Sequence, residues 1–183
     1  MKRSTILIII LILVLGVCCM LKFKNKKEGK DINVGSNNIE VEYKTGGGFG
    51  TTEDTALITI TISNDKAIVS YEDELKKEIS FNKSKYQELL DLINNKFSKI
   101  DKDADSNMDI MDGCDSYITI KDTKTGVSKT VGGYMPEDDN FLEIKDKIYE
   151  VIDSEEIRDF RKNELKNYFD KQFIEEFEDI DED

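Results

Sequence analysis

A run of acidic side chains between residues 101 and 112 is the part of this sequence best suited to chemistry. Oxygen-bearing side chains recur there at close spacing: Asp101, Asp103, Asp105, Asn107, Asp109 and Asp112. Acids at positions 1, 3, 5, 9 and 12 of such a run resemble the EF-hand calcium loop, in which successive oxygens converge on one hard cation. The pattern therefore makes calcium a candidate ligand and this loop its candidate site.

Two residues depart from the calcium-loop pattern. Ser106 stands where that loop needs glycine for a sharp turn, and Asp112 is one carbon shorter than the usual bidentate glutamate. A strand is also predicted to follow the loop, where an EF-hand has a helix. We therefore favour a solvated acidic loop that binds no metal, since water lets its carboxylates stay apart, and predict no cofactor; calcium binding by this loop is the alternative.

The composition excludes several classes of enzyme. The chain of 183 residues contains no histidine, which rules out Ser-His-Asp triads and imidazole metal sites. Paired acids such as Glu155 and Glu156 lie on a predicted helix surface, where no pocket would raise a pKa for acid-base catalysis. Cys114 is the single cysteine after residue 21, and a lone cysteine is more often buried and inert than exposed. We predict a protein that is not an enzyme.

The charge is distributed unevenly along the chain. Seven basic residues against Glu28 give residues 1–30 a net charge of +6, whereas the whole chain carries −13, so residues 31–183 carry −19. Phosphate backbones repel a body of this charge, and no basic stripe interrupts it. We therefore predict no nucleic-acid partner.

An apolar run follows the first basic residues. From Ile6 to Leu21 every residue is apolar or small, and with its flanks the run reaches about 18 residues, which is the short end of what crosses a bilayer. Residues 1–21 are therefore predicted to be a single-pass transmembrane helix that anchors the protein in the cell membrane. Residues 22–37 are polar and lysine-rich, which favours a basic tether.

The apolar run has two other interpretations. Leu15-Gly16-Val17-Cys18 resembles a lipobox, which would make Cys18 a lipidation site, but Val17 stands where that motif needs a small residue. A cleaved secretory signal would need an Ala-x-Ala type of site, and none follows the run. The retained anchor is the interpretation we favour, and lipidated Cys18 is the alternative.

The orientation in the membrane rests on two signals that disagree. The short basic start at Lys2 and Arg3 is typical of an export signal, whereas the lysines after the helix favour the opposite direction by the positive-inside rule. We favour a body outside the cytoplasm, because a five-residue start offers little to translocate.

Residues 38–152 have the pattern of one α+β domain. Period-two alternation predicts strands at Ile39–Tyr43, Ile58–Ile62, Ala67–Tyr71, Tyr117–Lys121 and Val127–Tyr134. Two helices are predicted, one capped by Asn82 with Phe81 as its hydrophobic staple, the other capped near Asp138. Because strands and helices do not alternate singly, we expect an antiparallel sheet of four to five strands with two packed helices.

Residues 153–183 are predicted to form an acidic C-terminal helix with two apolar stripes. Ile157, Phe160 and Tyr168 share one side, and a second arc contains Leu165, Phe169, Phe173, Phe177 and Ile180. One straight helix cannot bury both stripes against one surface, so we expect either a bend or break near Asn163 or a distal half that packs elsewhere. The distal aromatic residues either cover the domain's own sheet or bind a protein partner.

Several short motifs carry a family resemblance. They are Gly47-Gly48-Phe49-Gly50, the helix segment Tyr86-Gln-Glu-Leu89-Leu90, Tyr117-Ile118-Thr119-Ile120, and Thr130-Val131-Gly132-Gly133-Tyr134-Met135-Pro136. Through them, residues 39–152 resemble small anchored or lipoprotein domains of Gram-positive bacteria that have no assigned role. They are also distantly similar to the emfourin class of proteinaceous metalloprotease inhibitors. The resemblance implies an extracytoplasmic, non-catalytic domain, with protease inhibition as an alternative function.

Overall fold

A computed structural model describes residues 32, 34, 38–47, 52–101 and 113–178 of the chain. The predicted transmembrane helix of residues 1–21 lies outside this part, and so does the candidate lipidation site Cys18. Among the described residues, no helix is long and apolar enough to cross a membrane. Within the predicted tether, Val34 is buried in the core and Ile32 packs against it.

The described part of the chain contains one antiparallel sheet of six strands. The strands are β1 (Ile39–Gly46), β2 (Ile58–Ile62), β3 (Ala67–Tyr71), β4 (Leu75–Ile79), β5 (Asp115–Asp122) and β6 (Val127–Tyr134). Their order in space is β4-β3-β2-β1-β5-β6. The chain therefore builds a meander from β1 to β4, and then returns across the sheet to place β5 beside β1.

The helices form two groups. The first group is α1 (Lys83–Lys96), with a 3₁₀ turn at Phe97–Lys99, and α2 (Asp139–Val151). The second group is α3 (Ser154–Asp159), a π-helical segment (Phe160–Leu165) and α4 (Lys166–Glu178). The predicted α+β class with an antiparallel sheet and packed helices is confirmed, and so is the predicted helical character of the C-terminal segment.

The strand count differs from the prediction of four to five, because β4 also pairs with β3. Its sequence, Leu75-Lys-Lys-Glu-Ile79, places charges on both faces, which hides the apolar alternation of a strand. Lys77 lies on the helix-covered side of the sheet, but at an edge strand its ammonium reaches Glu164 of the π-helical segment at 3.0 Å. An edge position thus tolerates a lysine that a central strand would exclude.

The hydrophobic core lies between one face of the sheet and helices α1 and α2. Val41 and Ile60 of the central strands are fully buried there, together with Leu89 of α1 and Ile144 of α2. Burial of one such side chain stabilises the fold by about 1.5–3 kcal/mol. Glu42, on the opposite face, is only half-buried.

The start of α1 agrees with its predicted cap. The Asn82 Oδ1 atom accepts a hydrogen bond from the backbone N–H of Lys85 at 3.1 Å. The Phe81 ring lies edge-on to Tyr86, with ring centroids 6.3 Å apart, and these two residues occupy the positions of a hydrophobic staple. The predicted cap and staple are both confirmed.

Tyr86 also gives the fold a dependence on alkaline pH. Its side chain is fully buried, and its hydroxyl donates to the carbonyl oxygen of Ile39 at 2.9 Å. Burial raises the pKa of Tyr86 from 10.0 to about 12, and the charge of Glu40 adds to this effect. The unfolded chain therefore loses this proton at a lower pH than the folded chain does, so deprotonation favours unfolding.

Below pH 10, ionisation of Tyr86 should leave the free energy of unfolding unchanged. Between pH 10 and pH 12 it should lower the free energy of unfolding by about 2 kcal/mol. Tyr86→Phe should lower the free energy of unfolding by about 1–2 kcal/mol at pH 8, because the Ile39 carbonyl loses its hydrogen-bond donor. The variant should also show a smaller fall in the free energy of unfolding above pH 10. Urea unfolding at several pH values measures both effects. An undiminished alkaline decline in the variant would contradict this role for Tyr86.

The C-terminal helical segment changes its geometry where the two apolar stripes conflict. Asn163, near which we expect a bend or break, lies within the π-helical segment, so the chain stays helical there but changes its hydrogen-bond pattern. Phe160 and Leu165 lie at the two ends of this segment, and both are fully buried.

Candidate interaction surface

Asp101 is the one residue of the predicted calcium loop that the structure describes; Asp103, Asp105, Asn107, Asp109 and Asp112 lie outside the described residues. The backbone N–H of Asp101 donates to Asp138 Oδ2 at 3.3 Å. In the part of the chain that the structure describes, no group of three or more Cys, Asp or Glu side chains is arranged to hold a metal ion. Calcium binding by this loop stays an untested alternative to the solvated loop that we predict.

Asp138 connects the start of that loop to α2. Its Oδ1 atom accepts from the backbone N–H groups of Asn140 and Phe141 at 2.8 and 3.0 Å, as a helix N-cap does. Burial acts to raise the pKa of Asp138, but hydrogen bonds from Phe141, Asp101 and Asn140 outweigh it and hold this pKa below its ordinary value. The predicted cap near Asp138 is confirmed.

A cluster of hydroxyl and thiol groups lies where β1 and β5 meet near the loop. Cys114 is exposed, contrary to the buried state we expected. Its Sγ atom is 3.6 Å from Thr45 Oγ1 and 3.8 Å from Ser116 Oγ, and these two hydroxyl-bearing residues are buried. Serine and threonine hydroxyls accept no proton at neutral pH, so these neighbours give the thiol no general base.

Arg161 of the π-helical segment fixes the loop that precedes β2. Its Nη1 atom donates to the carbonyl oxygens of Glu53, Asp54 and Ala56 at 2.8, 3.1 and 3.1 Å. Burial lowers the pKa of Arg161, yet a guanidinium remains charged at neutral pH. The Arg161 Nη2 atom also donates to the Thr45 carbonyl oxygen at 3.5 Å, so four carbonyl dipoles surround this cation. Three of them belong to residues 53–56 and hold that loop against the helix. Nothing in the local sequence indicated this role.

An aromatic triad docks the start of α4 on the sheet. The rings of Tyr71, Tyr168 and Phe169 lie edge-on to one another, with centroids 5.4–5.7 Å apart. The Tyr168 hydroxyl donates to Glu74 Oε2 at 2.6 Å, and this hydrogen bond raises the pKa of Tyr168 to about 12. The triad therefore holds α4 beside the acidic turn between β3 and β4.

Beyond the triad, α4 exposes apolar side chains. Phe173 is 62% exposed and Ile174 is 55% exposed, whereas Leu165 at the start of the same arc is fully buried. Of the large apolar side chains that the structure describes, Tyr149 is the other exposed one, at 37%. The apolar arc is thus divided: Phe169 covers the domain's own sheet, whereas Phe173 stays largely open to solvent.

We define the distal patch as Phe173 and Ile174 of α4. The side chains of Phe177 and Ile180, which the sequence places on the same arc, lie outside what the structure describes. Phe173 follows Phe169 by one helical turn, because residues four apart lie on one side of an α-helix, whereas Ile174 lies about 100° further around the helix. Both side chains of the distal patch are apolar and largely exposed.

Comparisons with known proteins give no relative of this chain. No family model, no curated protein and no solved structure matches it. The resemblance to anchored Gram-positive domains and to the emfourin class therefore stays a prediction, and function has to be inferred from the surfaces described above.

Proposed function

We propose that this protein is a non-catalytic protein-binding module, tethered to the cell membrane by a single N-terminal helix, with its body outside the cytoplasm. The observation that carries the proposal is the exposure of Phe173 and Ile174 on a helix whose preceding turns are anchored by buried residues. An anchored helix with an exposed apolar face is a common way to bind a partner protein.

Two further features support a binding function over a catalytic one. The sequence has no histidine, the side chain that most often serves as an acid or base near neutral pH. The hydroxyl groups around Cys114 do not activate a thiol at that pH. The apolar run of residues 6–21 supports the membrane tether, and it makes the membrane the first partner of the chain.

Site-specific photo-crosslinking of the full chain in cell membranes tests the binding function. A photoreactive amino acid at position 173 should form a discrete adduct with another protein. The same amino acid at Lys124, an exposed position in the turn between β5 and β6, should not. Equal adducts at the two positions, or none at position 173, would contradict binding through α4.

Fractionation and protease treatment test the tether and its orientation. The full chain should sediment with membranes and enter solution only when detergent is added. Protease added to intact cells should digest the body. Recovery of the mature chain in a detergent-free soluble fraction would disprove the tether, and survival of the body until the cells are lysed would reverse its orientation.

A further inference from the structure

Helix α4 is anchored less firmly than the two helices that cover the sheet. Helices α1 and α2 bury four side chains each, whereas none of the α4 side chains that the structure describes is fully buried. Leu165, at the end of the π-helical segment, is the last fully buried residue among those described. Because burial of apolar surface is the main stabilising contribution, less free energy holds α4 in place than holds the rest of the fold.

Two neighbouring residues of α4 supply its main contacts with the sheet. The rings of Tyr168 and Phe169 lie edge-on to Tyr71 of β3, and the Tyr168 hydroxyl donates to Glu74 Oε2 at 2.6 Å. The same hydroxyl accepts a hydrogen bond from Gln172 Nε2 of α4 at 2.6 Å. We define the latch as Tyr71, Glu74, Tyr168 and Phe169.

The π-helical segment separates α4 from the part of the C-terminal segment that is fixed. Its hydrogen bonds reach the fifth residue instead of the fourth, and helices bend at such an interruption. Phe160 and Leu165 hold the segment in the core, and Glu164 pairs with Lys77 of β4. The structure therefore offers α4 a hinge directly after Leu165.

Docking of α4 hides one half of its apolar side. Phe169 and Phe173 are four residues apart and lie on the same side of the helix. Phe169 packs against the core of the domain, whereas Phe173 is 62% exposed. A protein that binds along this side of the helix therefore has to take the place of Tyr71 against Phe169.

We propose, resting on the protein-binding function above, that α4 opens from the sheet as a unit, with its hinge after Leu165, and that the partner protein binds the opened helix along Phe169 and Phe173. The docked helix is then an autoinhibited state. The apparent affinity for the partner equals the affinity of the open helix multiplied by the open fraction, so a weaker latch gives tighter binding.

Amide hydrogen exchange of the full chain in neutral detergent, followed by mass spectrometry, tests the opening without any partner. The amides of residues 170–174 should be protected at least about tenfold less than those of α1. Tyr168→Phe keeps the ring but removes the hydrogen bond to Glu74. This variant should speed exchange of residues 170–174 at least about fivefold and leave α1 unchanged.

Two further variants show whether the effect comes from the latch. Glu74→Ala removes the acceptor, so it should also speed exchange in α4 and should add nothing in the Tyr168→Phe background. Tyr134→Phe is the matched control, because the Tyr134 hydroxyl also makes a 2.6 Å hydrogen bond, from the Gly113 N–H, but at the other edge of the sheet. It should leave exchange in α4 unchanged.

Photo-crosslinking in cell membranes tests the autoinhibition. With the photoreactive amino acid at position 173, Tyr168→Phe should raise the yield of the partner adduct at least about threefold, because more of the helix is open. Tyr134→Phe should leave the yield unchanged.

Three outcomes would overturn this inference. They are equal protection of α4 and α1, equal acceleration of both helices by Tyr168→Phe, and an adduct yield that does not rise in a Tyr168→Phe variant whose α4 exchanges faster. In that last case the partner binds the docked helix, and the protein-binding function stands. Absence of the adduct from every variant would instead contradict the protein-binding function, while faster exchange of α4 would still support the opening.

Discussion

Phe160→Ala should destabilise the protein by about 3–5 kcal/mol, the range found when a buried phenylalanine is truncated in a tightly packed core. Phe160 is fully buried and belongs to the π-helical segment that connects α3 with α4. Urea unfolding measures the change. Phe173→Ala is the matched control: it removes the same side chain from an exposed helical position and should cost less than about 1 kcal/mol.

The π-helical geometry explains why Phe160 matters. Residues five apart lie about 140° apart around an α-helix, so Phe160 and Leu165 would face different directions in a regular helix. Hydrogen bonds from each residue to the fifth one along place five residues in roughly one turn and bring the two side chains closer to one face. If Phe160→Ala costs no more than Phe173→Ala, this packing does not hold the C-terminal segment to the sheet.

Gly132→Ala should lower the free energy of unfolding by about 2–6 kcal/mol. Two effects add here, an unfavourable φ and a steric overlap, and each costs about 1–3 kcal/mol. Gly132 has a φ of +116°, and a Cβ atom there would lie 2.2 Å from the Ser116 carbonyl oxygen and 2.9 Å from Tyr117 Cα. Backbone atoms of a paired strand move only with the sheet, so neither contact is easily relieved. Thermal unfolding of the variant measures the sum of the two effects.

Gly126→Ala provides the matched control for Gly132. Gly126 also has a positive φ, +72°, but nothing lies within 4 Å of the position that a Cβ would take. We expect this variant to lose about 1–2 kcal/mol, the cost of a left-handed conformation alone. Equal losses at the two glycines would mean that the close approach of β6 to β5 contributes nothing to the effect.

Much of the fold is predictable from the sequence, because its signals are local. The alternation in Ile58–Ile62 and the three- and four-residue spacing around Leu89 and Ile93 are properties of short stretches of chain. Caps are local as well, since Asn82 reaches an N–H only three residues away. These elements form where the sequence indicates, and β4 is missed because its charges interrupt the alternation.

The candidate surface is only partly predictable. The apolar arc of the C-terminal helix is visible in the sequence, but the division between its covered and exposed residues is not. That division depends on where Tyr71 lies, because the Tyr71 ring meets Phe169, whereas Phe173 one turn further along remains largely exposed. For the acidic loop, neither the predicted solvated state nor the calcium alternative is tested, because Asp101 is its one described residue among the candidate ligands.

By itself, the sequence determined the class of fold, the approximate positions of most helices and strands, and the negative charge of residues 31–183, since each follows from composition or from the order of neighbouring residues. Only the tertiary structure decided which distant groups meet. Arg161 reaches the Glu53 carbonyl across 108 positions of chain, and Tyr168 reaches Glu74 across 94. Such contacts depend on how the sheet and helices pack. A pattern of neighbouring residues carries no information about which distant residues that packing brings together.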